Sequence, residues 1–186
     1  MPLDEILISA EEKMEKAVEV LAEEFRRIRS GRADAGLVEH VKIDYYGAQT
    51  PLNQMATIAV PEPQLIEIRP YDPTMAKEIV KALQEADLGL NPTTDGKLVR
   101  LGVPPPSEER REQLAAQVKK LSEEAKVAIR NIRHKANKEI EAEEKGHLLP
   151  EDDAYRGKDE ILELTHQYEE KANELLEKKT KEIMEL

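Results

Sequence analysis

The chain has 186 residues and a formal net charge of −11; 39% of its residues are hydrophobic, 36% are charged and only 3% are aromatic, with no tryptophan or cysteine. The absence of cysteine excludes disulfides, thiolate metal sites and cysteine nucleophiles, and charges interrupt every apolar stretch that could form a signal peptide or a membrane span, so we expect a cytoplasmic protein. A composition rich in charge and poor in aromatic side chains favours thin helical assemblies, in which each helix buries only one apolar stripe.

The first predicted element is a long helix that reaches to about residue 29. Apolar residues from Leu3 to Ile28 recur at spacings of three and four, which places them on one helix face. Residues 26–32 (RRIRSGR) then carry four arginines and no acid. The negative net charge therefore hides a basic segment, because the net charge says nothing about how charges are distributed.

Residues 31–105 predict a small, β-rich α/β domain inserted between long helices, because most of the prolines and glycines fall there. A short helix is predicted over Thr74–Ala86, after Asp72-Pro73. Turns are expected at Gly47 and at Asp95-Gly96. Composition and alternation predict strands at Val38–Tyr46, Ala56–Val60, Leu65–Arg69, Leu88–Leu90 and Leu98–Leu101.

The segment Gly89–Lys97 superficially resembles a phosphate-binding loop. Six residues separate its two glycines where the motif needs four, and Leu98 stands where Ser or Thr should hold magnesium. A hairpin turn is therefore the better interpretation.

Two crossings join the inserted domain to the rest of the chain, at residues 30–33 and 102–107. The first contains Gly31. The second combines Gly102 with Pro104, Pro105 and Pro106, and proline stiffens it by fixing φ. The pattern is compatible with a hinge and equally with a rigid elbow.

Two further long helices follow the insertion. One begins after Ser107, a predicted N-cap, and runs to about residue 145, where Gly146 is a natural stop. The other begins at Glu151 after Pro150. Because only residues 146–150 join them, these two helices should be antiparallel neighbours. Residues 1–30 and 106–186 together predict an antiparallel three-helix bundle.

The arginines are clustered although lysine predominates on the exposed helix faces. Guanidinium groups bind phosphates bidentately, so this pattern indicates contact with folded RNA. Arg26 with Arg29 and Arg130 with Arg133 form i, i+3 pairs. The alternative is that the arginines form salt bridges with the third helix, whose residues 151–186 hold 12 acids and 6 bases. The clustered arginines are Arg26, Arg27, Arg29, Arg32, Arg110, Arg111, Arg130 and Arg133.

No arrangement typical of catalysis is present in the sequence. The four histidines lack ligand spacing, and no nucleophile elbow occurs. We expect a protein that is not an enzyme and that needs no metal or cofactor.

Several segments, spread in order over nearly the whole chain, closely resemble the ribosome recycling factors. They are Ser30–Ala33, Val41–Gly47, Pro51–Gln54, Asp87–Pro92, Glu109–Arg111 and Val127–Arg133. The resemblance implies an L-shaped α+β protein with two domains, a monomer, which binds the post-termination ribosome and acts with elongation factor G and GTP to split it into subunits. It implies that the GTP is hydrolysed by the partner.

The resemblance also implies which residues contact large-subunit ribosomal RNA. These are Arg29, Arg32, Arg110, Arg130 and Arg133; Arg26, Arg111 and Lys126 are possible peripheral contacts.

Two positions depart from the family pattern. Asp34-Ala35 stands where a proline is usual, which could loosen the hinge, and His134 replaces a further basic residue, which could weaken a peripheral RNA contact. The rival hypotheses are an RNA-binding protein that does not need the ribosome, and a structural adapter whose arginines form internal salt bridges.

Overall fold

The computed structural model describes residues 2–185. The described residues form two compact units, which we call the bundle unit (residues 2–29 with Glu109–Glu185) and the sheet unit (Ser30–Glu108). Among the described residues, no helix is sufficiently long and apolar to cross a membrane.

Three long helices build the bundle unit: α1 (Leu3–Arg27), α4 (Glu108–Lys145) and α5 (Glu151–Met184). Periodicity predicts all three, and α1 stops two residues earlier than expected. Acidic residues in the first turns of α1 and α5 face the positive end of the helix dipole and stabilise these starts.

The bundle core consists of three clusters along its length. One contains Leu3 and Ile6 of α1 with Ile140 of α4 and Ile161 of α5; the opposite end joins the last turns of α1 to the first turns of α4. Because the end of α4 meets the start of α5 and the start of α4 meets the end of α5, these two helices are antiparallel, as predicted. Helices α1 and α5 run in the same direction.

Helices α1 and α5 pack closely at Gly157. A Cβ atom added there would lie 2.5 Å from Cδ1 of Leu3 and 3.3 Å from Cδ1 of Ile140. A larger residue at this position would therefore require the Leu3 side chain to move. Glycine avoids this contact, although it weakens an isolated helix. In the turn after α4, the residue with a left-handed backbone conformation is His147, with a φ of +57°, and not Gly146, which the sequence suggests as the helix stop.

The sheet unit contains a hairpin, a four-stranded antiparallel sheet and two helices. Strands β1 (Lys42–Tyr45) and β2 (Ala48–Pro51) form the hairpin, and the short helix α2 (Leu52–Met55) follows. The sheet has the order β3-β4-β6-β5. Its strands are β3 (Ala56–Glu62), β4 (Leu65–Pro70), β5 (Asn91–Thr94) and β6 (Val99–Gly102), and α3 (Ala76–Glu85) packs on β5.

One continuous core fills the sheet unit. Ile66 and Ile68 of β4 meet Val99 and Leu101 of β6, and all four are buried. Ile79 and Leu83 of α3 close the same cluster, as the helical spacing predicts. The α+β fold class, a long helical bundle with a small β-rich domain, is thereby confirmed.

Two local predictions in the sheet unit are wrong. The composition of residues 38–46 predicts one strand, but residues 38–40 form a turn and β1 begins only at Lys42. The predicted strand Leu88–Leu90 is displaced to the polar segment Asn91–Thr94, because pairing with β6 determines the strand there. At the departure from the family pattern, the Asp34 carboxylate accepts a hydrogen bond from the Gly36 amide at 3.0 Å. The looser hinge expected from this departure stays a prediction.

The two crossings are tied to the same turn of the sheet unit, between β3 and β4. The Ala33 amide donates to the Pro63 carbonyl at 2.7 Å, and the Val103 amide donates to the Gln64 carbonyl at 2.8 Å. Gly102, predicted as a hinge residue, lies inside β6 and pairs with Leu65 and with a β5 residue. A strand residue paired on both sides is not free to bend, so the second crossing begins after Gly102.

Gly31 is the one predicted hinge residue with a conformational requirement. Its φ of +82° is left-handed, and an added Cβ atom would lie 2.9 Å from Cδ and Cγ of Pro106. Only glycine fits without strain in this position. Pro104 and Pro105 are exposed and Pro106 is half-buried.

Candidate nucleic-acid interface

The basic residues at the end of α1 do not form the predicted helix-face pair. Arg26 and Arg27 occupy the last turn of α1 and are exposed, but the backbone is already extended at Ile28. Arg29 therefore lies beyond the helix, and the prediction that Arg26 and Arg29 share a helix face is wrong. In the last turn, Arg26 and Arg27 also interact favourably with the negative end of the helix dipole.

A second basic group lies in the middle of α4. Lys126, Arg130 and Arg133 follow one another at spacings of four and three, so they share the flank of α4 that faces α5. Arg130 is exposed, and its Nε donates to Oε1 of Glu169 on α5 at 2.8 Å. The Lys126 side chain is only 14% exposed, and its Nζ lies 3.5 Å from Oε1 of Glu123.

Arg133 differs from its neighbour. It is half-buried, and within the described residues no carboxylate lies within ion-pairing distance of its guanidinium. A cation that is fixed on a helix by packing and is not neutralised by the protein is well suited to bind an external anion.

A third basic group lies in the first turns of α4. Arg110 is exposed and its Nη1 donates to Oε1 of Gln113 at 3.3 Å. Arg111 is half-buried, and its Nε is enclosed with no hydrogen-bond partner among the described residues. Twenty residues separate Arg110 from Arg130, which corresponds to about 30 Å along a helix. The arginines of α4 thus form two separate groups along the helix.

The predicted contact residues are divided between the two units. Arg29, Arg110, Arg130 and Arg133 belong to the bundle unit, whereas Arg32 belongs to the sheet unit, where it is half-buried.

The adapter hypothesis requires that most clustered arginines form internal ion pairs. Arg130 pairs with the acidic third helix, as that hypothesis expects. Five others have no carboxylate within 4.0 Å in the part of the chain that the structure describes: Arg26, Arg27, Arg29, Arg111 and Arg133. Most of this positive charge is consequently left for an external partner, which favours RNA binding.

The segment that resembles a phosphate loop is a hairpin turn, as predicted. The Asp95 carboxylate accepts hydrogen bonds from the amides of Lys97 and Leu98, at 3.1 and 3.0 Å, which hold the pKa of Asp95 below its usual value. Thr94 Oγ1 accepts from the Gly96 amide at 3.0 Å. The amides that would bind a phosphate are therefore already used by the protein itself.

Among the described residues, no three His, Cys, Asp or Glu side chains are arranged to hold a metal ion. The arrangement of the basic groups can bind and orient an anion.

Sequence reasoning missed one residue beside the basic group in the middle of α4: Glu169 of α5. It lies 39 residues after Arg130 and meets it only because α4 and α5 pack in a particular register. No pattern within either helix identifies this contact.

A family model and individual relatives identify the same family for this chain. The family model described as "Ribosome recycling factor" matches residues 21–184. The ribosome-recycling factor of Oleidesulfovibrio alaskensis is 48% identical over 184 residues, which cover 99% of this chain and all of the relative. That of Caldicellulosiruptor bescii is 50% identical over 177 residues, which cover 95% of this chain and 96% of the relative.

Two solved structures are also similar over their full length. A solution structure of a ribosome recycling factor is 39% identical, with a TM-score of 0.66, and the match covers 100% of this chain and 99% of that one. A second, 40% identical with a TM-score of 0.60, covers 99% of this chain and 100% of the other; it is the T. thermophilus ribosome recycling factor, which is described with E. coli elongation factor G as bound to the E. coli post-termination complex.

Proposed function

The chain belongs to the ribosome recycling factor family, and on this premise we propose that it binds the post-termination ribosome and, with elongation factor G and GTP, releases the ribosome from messenger RNA by splitting its subunits. The observation that carries the proposal is the similarity, over the full length of the chain, to a recycling factor bound with elongation factor G to the post-termination complex.

In this proposal the protein is not an enzyme and holds no cofactor. Its loop Gly89–Lys97 uses its own amides internally, so the GTP is bound and hydrolysed by elongation factor G. The chain contributes a rigid anchor and a body on which the partner acts. The monomeric state expected from the family resemblance is part of the same proposal.

The anchor is the basic surface of the bundle unit. Contacts to large-subunit ribosomal RNA are assigned to Arg29, Arg110, Arg130 and Arg133, with Arg32 from the sheet unit and peripheral contacts from Arg26, Arg111 and Lys126. The absence of an acidic partner at Arg133 among the described residues supports its inclusion, because an uncompensated guanidinium gains most from a phosphate. The surplus acids of α5 would repel phosphates, and the α5 surface away from α4 should not face RNA.

The test is polysome breakdown in the presence of elongation factor G and GTP, with Arg133→Ala compared to the unaltered chain. Loss of one charge-assisted phosphate contact should weaken binding to the large subunit about tenfold or more and slow breakdown at limiting protein. Arg156→Ala is the matched control, because it removes an exposed arginine of the same bundle that pairs with Asp153 and Glu160 on its own helix. It should leave both readouts unchanged.

Three results would argue against the proposal. Full activity of Arg133→Ala would remove the role assigned to that residue. Affinity for the large subunit that does not fall with rising salt would indicate a protein interface instead of phosphate contacts. Equal affinity for naked RNA and for ribosomes would favour an RNA-binding protein that acts without the intact ribosome.

A further inference from the structure

The ion pair between Arg130 and Glu169 engages only one part of the guanidinium. Glu169 Oε1 accepts from Nε at 2.8 Å, and within the described residues no partner occupies the two terminal amino groups. The two side chains are also unequally exposed, with Arg130 at 47% and Glu169 at 19%. The carboxylate is thus set back toward the helix interface, while the guanidinium end extends into solvent.

A guanidinium held at Nε keeps its most useful binding edge. Nη1 and Nη2 together form a planar pair of donors that matches two oxygens of one phosphate. A free arginine side chain loses rotamer entropy when it adopts one geometry on binding, and a side chain that is already oriented loses less.

We infer that Glu169 is a positioning residue: it holds Arg130 so that the terminal guanidinium edge is presented to an RNA phosphate. This inference rests on the proposed function and adds to it a residue from the acidic helix. Glu169 itself touches no RNA in this arrangement. It acts through Arg130.

A second ion pair between the same helices provides a matched control. Lys158 Nζ of α5 lies 3.1 Å from Oε1 of Glu141 on α4, with the signs of the two helices reversed. This pair is eleven residues later on α4 and eleven residues earlier on α5, so it belongs to the same antiparallel register. Lys158→Ala breaks an equivalent interhelical bond without touching Arg130.

The experiment measures affinity of the full chain for large ribosomal subunits with Glu169→Ala and Glu169→Gln, each alone and combined with Arg130→Ala. If Glu169 positions Arg130, Glu169→Ala should weaken binding about two- to tenfold, which corresponds to ordering one long side chain. Glu169→Gln keeps an acceptor for Nε and removes a negative charge, so it should bind at least as tightly as the unaltered chain. In the Arg130→Ala background, Glu169→Ala should have no further effect.

Each alternative gives a different pattern. If Glu169 only repels phosphate, both of its variants bind large subunits more tightly than the unaltered chain. If Glu169 only stabilises the bundle, Glu169→Ala weakens binding equally with and without Arg130. In that case Lys158→Ala also weakens binding. Either pattern would overturn the inference.

An independent measurement on the free protein completes the test. In nuclear magnetic resonance spectra, the Nε–H group of Arg130 should be ordered in the unaltered chain and in Glu169→Gln, and mobile in Glu169→Ala. Equal mobility in all three would overturn the inference while leaving ribosome binding intact. Failure of the unaltered chain to bind large subunits would instead overturn the proposed function itself.

Discussion

The bundle unit and the sheet unit have differently organised cores. The bundle buries its apolar residues in three clusters along three long helices, and most of these residues contact only neighbours at the same level. The sheet unit gathers strands, helices and loops around one cluster that includes residues from Ala33 to Val103. The bundle can therefore be perturbed locally, whereas damage at one point of the sheet unit affects all of its elements.

The exposed charged residues also have different roles in the bundle unit and the sheet unit. The bundle carries ordered rows of charge at helical spacing, including the arginines of α4. In the sheet unit, several charged side chains support turns, as Asp34, Asp72 and Asp95 do by accepting hydrogen bonds from backbone amides. We conclude that the bundle is suited to present a binding surface and the sheet unit to keep a fixed shape.

The largest expected loss of folding free energy comes from a cavity in the core of the sheet unit. Ile66→Ala removes a completely buried side chain from β4 and should cost about 2–5 kcal/mol of folding free energy. Amide exchange should accelerate throughout residues 30–108, while α4 and α5 keep their protection. Ile129→Ala, at an equally buried site in the middle of the bundle, should accelerate exchange near that level more than at the bundle ends. Exchange that rises uniformly in both variants would contradict the contrast between the two cores.

The next effect tests the close approach of α1 and α5. Gly157→Leu places a side chain where Cδ1 of Leu3 lies 2.5 Å from the new Cβ, so we expect a loss of about 1–3 kcal/mol by overpacking. Thermal unfolding followed by circular dichroism in the far ultraviolet measures it. Leu3→Ala leaves a space beside residue 157, and an alanine at residue 157 would occupy part of it. The double variant Gly157→Ala with Leu3→Ala should therefore recover part of the stability that Leu3→Ala alone loses. A neutral Gly157→Leu would show that α1 moves away from α5 at no cost.

Gly31→Ala probes the first crossing. An alanine there must adopt a φ of +82° with its Cβ 2.9 Å from Pro106, and the strain should cost about 1–3 kcal/mol. Gly102→Ala is the control at the end of β6, just before the second crossing, since its added Cβ meets no atom within 4 Å. Chemical denaturation of the two variants compares them. Equal midpoints would remove the requirement for glycine at residue 31.

The smallest effect concerns the turn between β5 and β6. Backbone hydrogen bonds from Lys97 and Leu98 lower the pKa of the Asp95 carboxyl from its ordinary value of 3.8. Because the folded-state pKa is the lower one, this contribution to stability is complete above pH 3.8 and is lost as the pH falls through the folded-state pKa. Amide exchange at Lys97 and Leu98 should therefore increase relative to other turns at acid pH. In Asp95→Ala it should already be fast at neutral pH.

The accuracy of sequence-based prediction also differs between the two units. The long helices are evident because a period of three and four residues continues over dozens of residues, and the position of β4 is evident from its apolar alternation. The prediction misplaces strand β5 because its residues, Asn91–Thr94, are polar and become a strand only by pairing with β6. It misses β2 for the same reason, since nothing in Ala48–Pro51 except the partner β1 favours an extended conformation.

The candidate interface shows a similar limit. Arginine clustering and the choice of Arg over Lys are visible in the sequence, and they identify the segments. The sequence does not show that α1 ends at Arg27, which separates Arg26 from Arg29, or that Glu169 meets Arg130 across the bundle. Both depend on tertiary packing, which no local pattern encodes.

Ala33 and Val103 are hydrogen-bonded to adjacent residues of one turn, so the sheet unit begins and ends at nearly the same place. Its entry and exit points lie side by side, so its interior is a loop whose ends are already joined by the fold. Such a segment can be replaced by another whose ends lie equally close, and new termini opened at a surface turn inside it would leave a single connected core. The insertion is therefore an exchangeable module, which recombination could vary while the helices of the bundle unit are inherited unchanged.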